Sequence, residues 1–487
     1  MDGTFYWHDY ETTGVNPSID RPLQFAGLRT DENLLPVGEP LTIFCKLPRD
    51  ILPTPEACIT TGITPQHTVR EGLSERDFIS QIYDQLSAPR TCGVGYNSIN
   101  FDDEITRYTL YRNFYDPYLR EWDQGNSRWD IIDMIRLTKA LRPKGFEWPE
   151  KHTGEPSFKL EDLAEANKIQ QGEAHEALSD VLTTIELAKL VKERQPQLFA
   201  YVLQLRKKQS VARLLDIEQG SPFLYIAGTL SSKHHYSALM MPLAHHLTNG
   251  NGIICADLMG DVEMLLSLDS KELKDQLFKP ADNVSQDFQR PPLRLISVNK
   301  CPIVATPKLV DTKVARRLGI DVDKCYANWQ KLRTRDLRYK MQQVYEKQSY
   351  TRENDAEQRL YEKFLSNSDR RKLAEVRSSS AEELASNAIQ FSDERYQELL
   401  FSYRARYFPS SLSEDEAAHW FNQCRRRLND EKSGYCTLSH YVKRLDEMRK
   451  DSKYSKRHHA LLGKLSEWGK DVEKNFDLLT ETTAGLC

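Results

Sequence analysis

The 487-residue chain is poor in the features that mark membrane proteins and disulfide scaffolds. No stretch approaches the ~18 uninterrupted apolar residues of a transmembrane helix, so no membrane span is expected. The opening MDGTFYWHDYETTG has no basic segment followed by an apolar run, so no secretory signal is expected. The nine cysteines are odd in number and scattered, with no C-x-x-C pair. That pattern argues against a disulfide framework and against a thiolate zinc site, and it fits a reduced, cytoplasmic setting. An excess of basic charge is also missing. The 67 Lys and Arg stand against 71 Asp and Glu, a formal net charge of −4. Any site for a polyanion must therefore be a local patch and not a property of the whole surface. There is no internal repeat and no long low-complexity tract. What is present is ordinary globular composition, 39% hydrophobic and 28% charged, in a chain long enough for about three domains.

Three regions differ in texture. Residues 1–193 alternate strand-like and helix-like segments, as α/β folds do. Thr4 to Glu11 reads as a strand with Phe5, Trp7, Asp9 and Glu11 on one face. Leu23 to Arg29 and Leu41 to Leu47 are strand-like, with the polar stretch Thr30 to Asn33 turning the chain between them. Ser74 with Asp77 resembles a capping box, ahead of Phe78, Ile82 and Leu86 at helical spacing. Thr91 to Tyr96 reads as a short buried strand, and Ala177 to Lys192 as a helix with Leu178, Val181, Leu182 and Ile185 on its apolar face. These segments predict a mixed central sheet with helices on its faces. Gln195-Pro196 marks a break. Residues 197–348 carry short β-like runs, at Pro222 to Thr229, Gly252 to Asp257 and Leu293 to Val298, and predict a small β-rich domain. Residues 350–487 are dense in Glu, Arg, Lys, Leu and Tyr and predict a mostly helical domain, with a loop at Ser378-Ser379-Ser380 and with Leu399, Leu400, Phe401 and Tyr403 in its core.

Chemistry concentrates in the first region. Strand side chains alternate, so Asp9 and Glu11 point the same way. Two converging carboxylates repel each other unless a cation lies between them, and hard cations such as Mg²⁺ or Mn²⁺ take oxygen ligands. Taken alone, D-x-E is a weak signal, and a solvated strand edge would explain it equally; the neighbouring Phe5, Trp7 and Tyr10 count against an exposed edge. Asn97-Ser98-Ile99-Asn100-Phe101-Asp102 follows the strand ending at Tyr96, where α/β folds place ligand residues. Asp102 equally suits a helix N-cap. His175-Glu176-Ala177-Leu178-Ser179-Asp180 then puts a histidine just before a helix and an aspartate inside its first turns. An aspartate on so apolar a helix needs a partner, and a metal would supply one.

The ordered set D-x-E, N-x-x-x-F-D and H-x-A-x-x-D resembles the DEDD exonuclease superfamily in its histidine subclass, since Glu176 stands where the tyrosine subclass carries Tyr. Further segments are similar to the bacterial exodeoxyribonuclease I family: HDYETTG, RPLQFAGLRTD, TGITPQ, GYNSINFDDEITRYTLYRNFYDPY, NSRWDIIDMIRLTKALRP and SFKLEDL, then ISVNKCPIVA and ELLFSYRARYFP further on. The resemblance implies a ribonuclease H-like exonuclease domain, an SH3-like β domain and a helical C-terminal domain. It implies a monomer that degrades single-stranded DNA processively from the 3′ end to 5′-mononucleotides, in repair and recombination. Two Mg²⁺ ions, with Mn²⁺ as a substitute, would be held by Asp9, Glu11 and Asp180, with Asp102 contributing directly or through water. His175 would be the general base, its ordinary pKa of ~6.5 suiting proton transfer near neutrality.

For the strand of DNA, the resemblance points to Arg107, Tyr118 and Trp122, to Glu11, and to Lys159, where the family has an arginine. Lysine keeps the charge but loses the bidentate fork. Tyr118 and Trp122 would equally serve as core aromatics. Arg206, Lys207, Lys208 and Arg213 form a basic run that reads foremost as a solvated face. Lys331, Arg333, Arg335, Arg338 and Lys340 have a spacing that suits one helix with an exposed basic side. The resemblance also implies docking of the acidic C-terminal tail of single-stranded-DNA-binding protein on a basic, partly apolar surface. Two rival readings remain. An RNA-trimming exonuclease would share the catalytic core, though short trimmers lack the long extension after residue 196. A non-catalytic binding protein on a dead nuclease fold would be expected to have lost a carboxylate or the histidine, and all five residues are present.

Overall fold

A computed structural model describes residues 3–170, 176–280, 282, 285, 288–346, 355–386 and 388–476. They divide into two compact bodies. One holds the described residues up to Ser127, Glu176 to Leu182, and Asp355 onward; the other holds Arg128 to Gln170 and Thr183 to Glu346.

The first body is built on a mixed sheet. Its strands β1 (Thr4–Thr12), β2 (Pro22–Thr30), β3 (Leu41–Phe44) and β4 (Thr91–Gly95) lie in the order β3-β2-β1-β4. The chain passes from one body to the other within the short β5 (Ser127–Asp130). β1 pairs antiparallel with β2 and parallel with β4, so the strand bearing Asp9 and Glu11 is central. Its aromatic residues follow from that place. Both faces of a central strand are covered, and Phe5, Tyr6, Trp7, His8 and Tyr10 are all buried. Helix α1 (Glu75–Leu86) packs Phe78, Ile79, Ile82 and Leu86 against Tyr6, Tyr10 and Phe25. Ser74 caps it by accepting from the Asp77 N–H at 3.1 Å. The expected box is only half formed, because the Asp77 carboxylate accepts from the Ser74 hydroxyl and not from its backbone. The polar turn begins one residue later than expected, with the Asp31 carboxylate accepting from the N–H groups of Asn33 and Leu35.

The C-terminal part of the first body is helical, as expected. Leu399, Leu400 and Tyr403 are buried, and Phe401 is half-buried. Ser379 ends one helix, and Ser380 opens the next with a complete capping box to Glu383. Tyr108, Tyr111 and Phe114 share one apolar cluster with Leu373, Val376, Tyr396 and Tyr403, so this segment and the sheet-bearing segment have a common core.

The second body holds an antiparallel sheet. Its strands are β6 (Phe223–Ile226), β7 (Ser237–His245), β8 (Gly252–Asp257), β9 (Leu293–Ser297) and β10 (Ile303–Ala305), in the order β10-β6-β7-β8-β9. β7, which the expectation did not name, carries Pro242 in its middle. The pairing with β8 is irregular between Pro242 and Ala244, a bulge that accommodates a residue with no N–H to donate. Pro196 is the first residue of the helix Pro196–Gln204, a position where a missing N–H costs nothing. The Lys331–Lys340 run does not form one helix. Lys331 and Arg333 close the helix Val322–Arg333, Arg335 lies in the link, and Arg338 and Lys340 open the helix Arg338–Val344. No helix among the described residues is long and apolar enough to cross a membrane.

Candidate active site

Along the Phe5–Trp7 face of β1 the apolar row gives way to two carboxylates, Asp9 and Glu11. The third comes from helix α2 (Asp102–Arg112) and the fourth from helix α3 (Ala177–Arg194). On α3 the buried residues include Ala177, Val181, Thr184, Ile185 and Ala188. Asp180 falls on the flank of that buried arc, whereas Leu182, expected on the apolar face, lies 45% exposed. Asp180 is therefore turned inward by the same face that seats the helix. Oxygens of Asp9, Glu11 and Asp180 all lie within 4.8 Å of one another.

Asp102 reaches the site by a different route. The parallel ladder between β1 and β4 ends at Trp7 and Val94. Beyond it the Tyr10 N–H donates to the Asp102 carboxylate at 3.1 Å. The turn that delivers Asp102 is tight: Asn97 is left-handed at φ 61°, a short 3₁₀ turn spans Ser98–Asn100, and a Cβ on Gly95 would lie 2.6 Å from that of Ser98. The next residue, Asp103, faces the other way and pairs with Arg120 at 2.5 Å.

The electrostatics follow from burial and like charge. Burial first, then the charges of Asp102, Glu11 and Asp180, push Asp9 well above the usual carboxylate range. Burial, then Asp180 and Asp102, push Glu11 up to about 8. His8, adjacent in sequence, is pushed down to about 4 chiefly by burial, and it stacks on Phe25 at 6.0 Å. It is a neutral core ring and not part of the acidic group. Three converging oxygen donors whose charges repel one another fit a hard divalent cation.

The other expected residues are placed as follows. His175 lies outside the described residues. Lys159 belongs to the second body, exposed at the start of the helix Leu160–Ala166. Arg107 is buried, and its guanidinium is already engaged. It donates to Glu121 at 2.7 and 2.8 Å, to Glu104 at 2.7 Å and to the Tyr361 hydroxyl at 2.9 Å. Tyr118 is half-buried, with Arg107 5.3 Å from its ring centroid, and Trp122 is 64% exposed. Sequence reasoning missed two further aromatics from the C-terminal segment. Tyr361 and Phe364 lie 6.4 and 6.0 Å from Tyr118 and are 52% and 84% exposed. Nothing in their local pattern sets them apart from core aromatics; only their meeting with Tyr118 does.

A central strand with two carboxylates, met by another from a packed helix, fits the class of ribonuclease H-like, metal-dependent exonucleases. In agreement, an exonuclease family model matches residues 6–188, an exonuclease I SH3-like domain model residues 206–347, and an exonuclease I C-terminal domain model residues 354–472. The chain belongs to the exodeoxyribonuclease I family. Exodeoxyribonuclease I of Haemophilus influenzae is 43% identical over 430 residues, covering 88% of this chain and 91% of that protein. Among solved structures, a moderately thermophilic exonuclease I from Methylocaldum szegediense superposes with a TM-score of 0.92 at 43% identity, covering 96% of this chain and 99% of that one. Escherichia coli exonuclease I in complex with a dA16 oligonucleotide gives 0.92 at 38% identity, covering 97% of this chain and all of that one. Similar too are a zinc-ion-bound complex of the Escherichia coli enzyme with single-stranded DNA, with a TM-score of 0.91, and an SSB/exonuclease I complex with the inhibitor CFAM, with a TM-score of 0.89. Each is 38% identical and covers 97% of this chain and all of that one.

Proposed function

We propose that this protein is a processive 3′→5′ exodeoxyribonuclease that hydrolyses single-stranded DNA to nucleoside 5′-monophosphates with two Mg²⁺ ions. The observation that carries the reading is the convergence of Asp9, Glu11 and Asp180 within 4.8 Å on a central strand and a packed helix. These side chains, with Asp102 beside the Tyr10 amide, would hold the ions. When bound, divalent ions activate water and neutralise charge on the leaving oxygen. The rest of the chemistry falls to the chain. Asp9 and Glu11 are held by the sheet, so the donor geometry is preorganised. His175 takes the proton of the attacking water. Tyr118, Trp122, Tyr361 and Phe364 offer ring faces on which unpaired bases stack, in a sequence-tolerant way. For Arg107 to meet a phosphate, the phosphate has to replace Glu104 or Glu121 as its partner. Lys159 offers a further phosphate contact.

The oligonucleotide complexes of the Escherichia coli relative support the choice of single-stranded DNA, and its zinc complex supports a divalent site. The SSB/exonuclease I complex supports single-stranded-DNA-binding protein as a partner, and the proposed recognition is of its acidic C-terminal tail by a basic, partly apolar surface. The reading includes an exonuclease domain over 1–193, an SH3-like domain over 197–348 and a helical domain over 350–487, working as a cytoplasmic monomer in repair and recombination. The test uses a 5′-labelled single-stranded DNA oligonucleotide and its RNA twin, each with Mg²⁺ or EDTA. A shortening ladder with DNA and Mg²⁺ alone is expected. RNA degraded as fast would shift the reading to an RNA-trimming enzyme, and a band shift without cleavage to a binding protein.

A further inference from the structure

Behind the first body's sheet lies a buried ionic cluster that the nuclease reading does not use. Its centre is Glu357, 1% exposed, on the 3₁₀ turn Ala356–Gln358 of the C-terminal segment. Glu357 accepts from Arg406 at 2.5 Å and from Arg427 at 3.0 Å, and it also accepts from Arg21. Arg406 and Arg427 reach on to Asp50, and Arg427 to Asp355 at 2.8 Å. On the near side, Glu75 pairs with Arg112 at 2.9 Å and lies 3.8 Å from Arg21. Four guanidinium groups thus face four carboxylates. Burial alone would raise the Glu357 carboxyl, but Arg406, Arg427, Arg21 and Arg112 outweigh it and hold the group well below the usual range.

The link from this cluster to the site runs through Arg21. Its backbone makes a reciprocal pair with Thr13: the Arg21 N–H donates to the Thr13 hydroxyl at 2.9 Å, and the Thr13 N–H donates to the Arg21 carbonyl at 2.9 Å. Thr13 stands two residues after Glu11, and Pro22, next to Arg21, opens β2 opposite Thr12. The β1–β2 register is irregular between Glu11 and Thr12. Such a bulge can re-aim a neighbouring side chain, so what anchors the strand end bears on Glu11. Arg21 is 1% exposed, and neither its Nε nor its Nη1 has a hydrogen-bond partner. The bond to Glu357 is what holds its guanidinium. Without it the buried guanidinium keeps only Glu75, at 3.8 Å, and must shift toward it, taking the bulge with it.

We propose that Glu357 is a positioning residue for the metal site: through Arg21 the C-terminal segment sets the end of β1 and hence the aim of Glu11. This rests on the reading of Asp9, Glu11 and Asp180 as cation ligands. Mn²⁺ titration of the full chain, followed by the electron paramagnetic resonance of the free ion, tests it well below the unfolding temperature. Glu357→Gln is expected to weaken Mn²⁺ binding about tenfold, the size typical of lost outer-shell support. Asn328→Ala is the stability control. It removes buried hydrogen bonds to the Leu258 and Gly260 carbonyls within the second body, so it should lower the melting temperature but leave Mn²⁺ affinity within about twofold of wild type. Wild-type Mn²⁺ affinity in folded Glu357→Gln would overturn the inference. So would an equal loss of affinity in Asn328→Ala. If Glu357→Gln does not fold, Arg21→Gln carries the same test, since it removes the guanidinium that Glu357 holds. Failure of the wild-type chain to bind Mn²⁺, or undiminished binding by Asp180→Asn, would instead overturn the cation-site reading itself.

Discussion

Asp180 and His175 stand five residues apart, and the proposed function gives them different work. Asp180 is turned into the site by the buried face of its helix, where its charge adds to those of Asp9 and Glu11. Asp180→Ala removes an oxygen donor and leaves Tyr118, Trp122, Tyr361 and Phe364 untouched. We expect cleavage in Mg²⁺ to fall by at least ~10³-fold, the order of loss when a principal electrostatic group is removed. Binding of a labelled oligonucleotide in EDTA should stay within about twofold, because the proposed stacking contacts remain. Substantial cleavage by this variant would remove the proposed metal site. His175→Ala should slow single-turnover cleavage about 10²–10⁴-fold, the usual contribution of a general base, with little change in binding. Equal single-turnover rates for variant and wild type would remove that role.

Among the elements, the turn from β4 to α2 is the most demanding piece of local structure near the site. It must end the parallel pairing with β1, reverse the chain and bring Asp102 to the Tyr10 amide. Gly95 permits this because any side chain there would overlap Ser98 and lie 3.1 Å from the His8 carbonyl. Neither neighbour is the end of a flexible side chain, so the turn has to move. Gly95→Ala should therefore lower kcat by about 10–10²-fold through a displaced Asp102, since misplacements near 1 Å cost that much. Oligonucleotide affinity in EDTA should not change. An unchanged kcat in this variant would mean that the position of Asp102 is not set by this turn.

In the whole molecule, the C-terminal segment is not an appendage to the nuclease fold. It shares the cluster around Tyr111 and Phe114, and a second cluster joins Leu52 and Cys58 to Leu438, Tyr441 and Trp468. Removing residues 351–487 would expose both clusters and leave Asp50 without Arg406 and Arg427. The truncated chain should be insoluble or lack a cooperative thermal transition, which expression and calorimetry would show. The ionic cluster also sets an acid limit. Burial opposes the charged forms of Glu357, Asp50 and Glu75, yet their arginines hold all three below their ordinary values. A carboxylate lowered in the folded state stabilises it above its unfolded pKa of ~4, and that contribution fades as pH falls through the folded value. The melting temperature should thus drop below about pH 4.5, and less steeply in Glu357→Gln, which has one such group fewer.

The sequence by itself determined the chemistry of this protein and the local course of its chain. Asp9 and Glu11 share a face because strand side chains alternate, and β1, β2, β4, α1 and β8 lie close to where patterning puts them. Patterns of period 2 and 3.6 are carried by neighbouring residues, so they can be read without a fold. What lay beyond them depended on distant partners. The Pro242 strand survives because β8 pairs with it across a bulge. Leu182 is exposed and Asp180 turned inward because the surroundings of α3, not its own periodicity, choose the buried arc. The family resemblance offers Arg107 to the DNA strand, and only the fold shows its guanidinium engaged by Glu104, Glu121 and Tyr361. The support of Arg21 by Glu357 spans 336 residues, a distance over which no local pattern reports. Only tertiary structure decided these, because burial and ion pairing are settled by what the folded chain brings together.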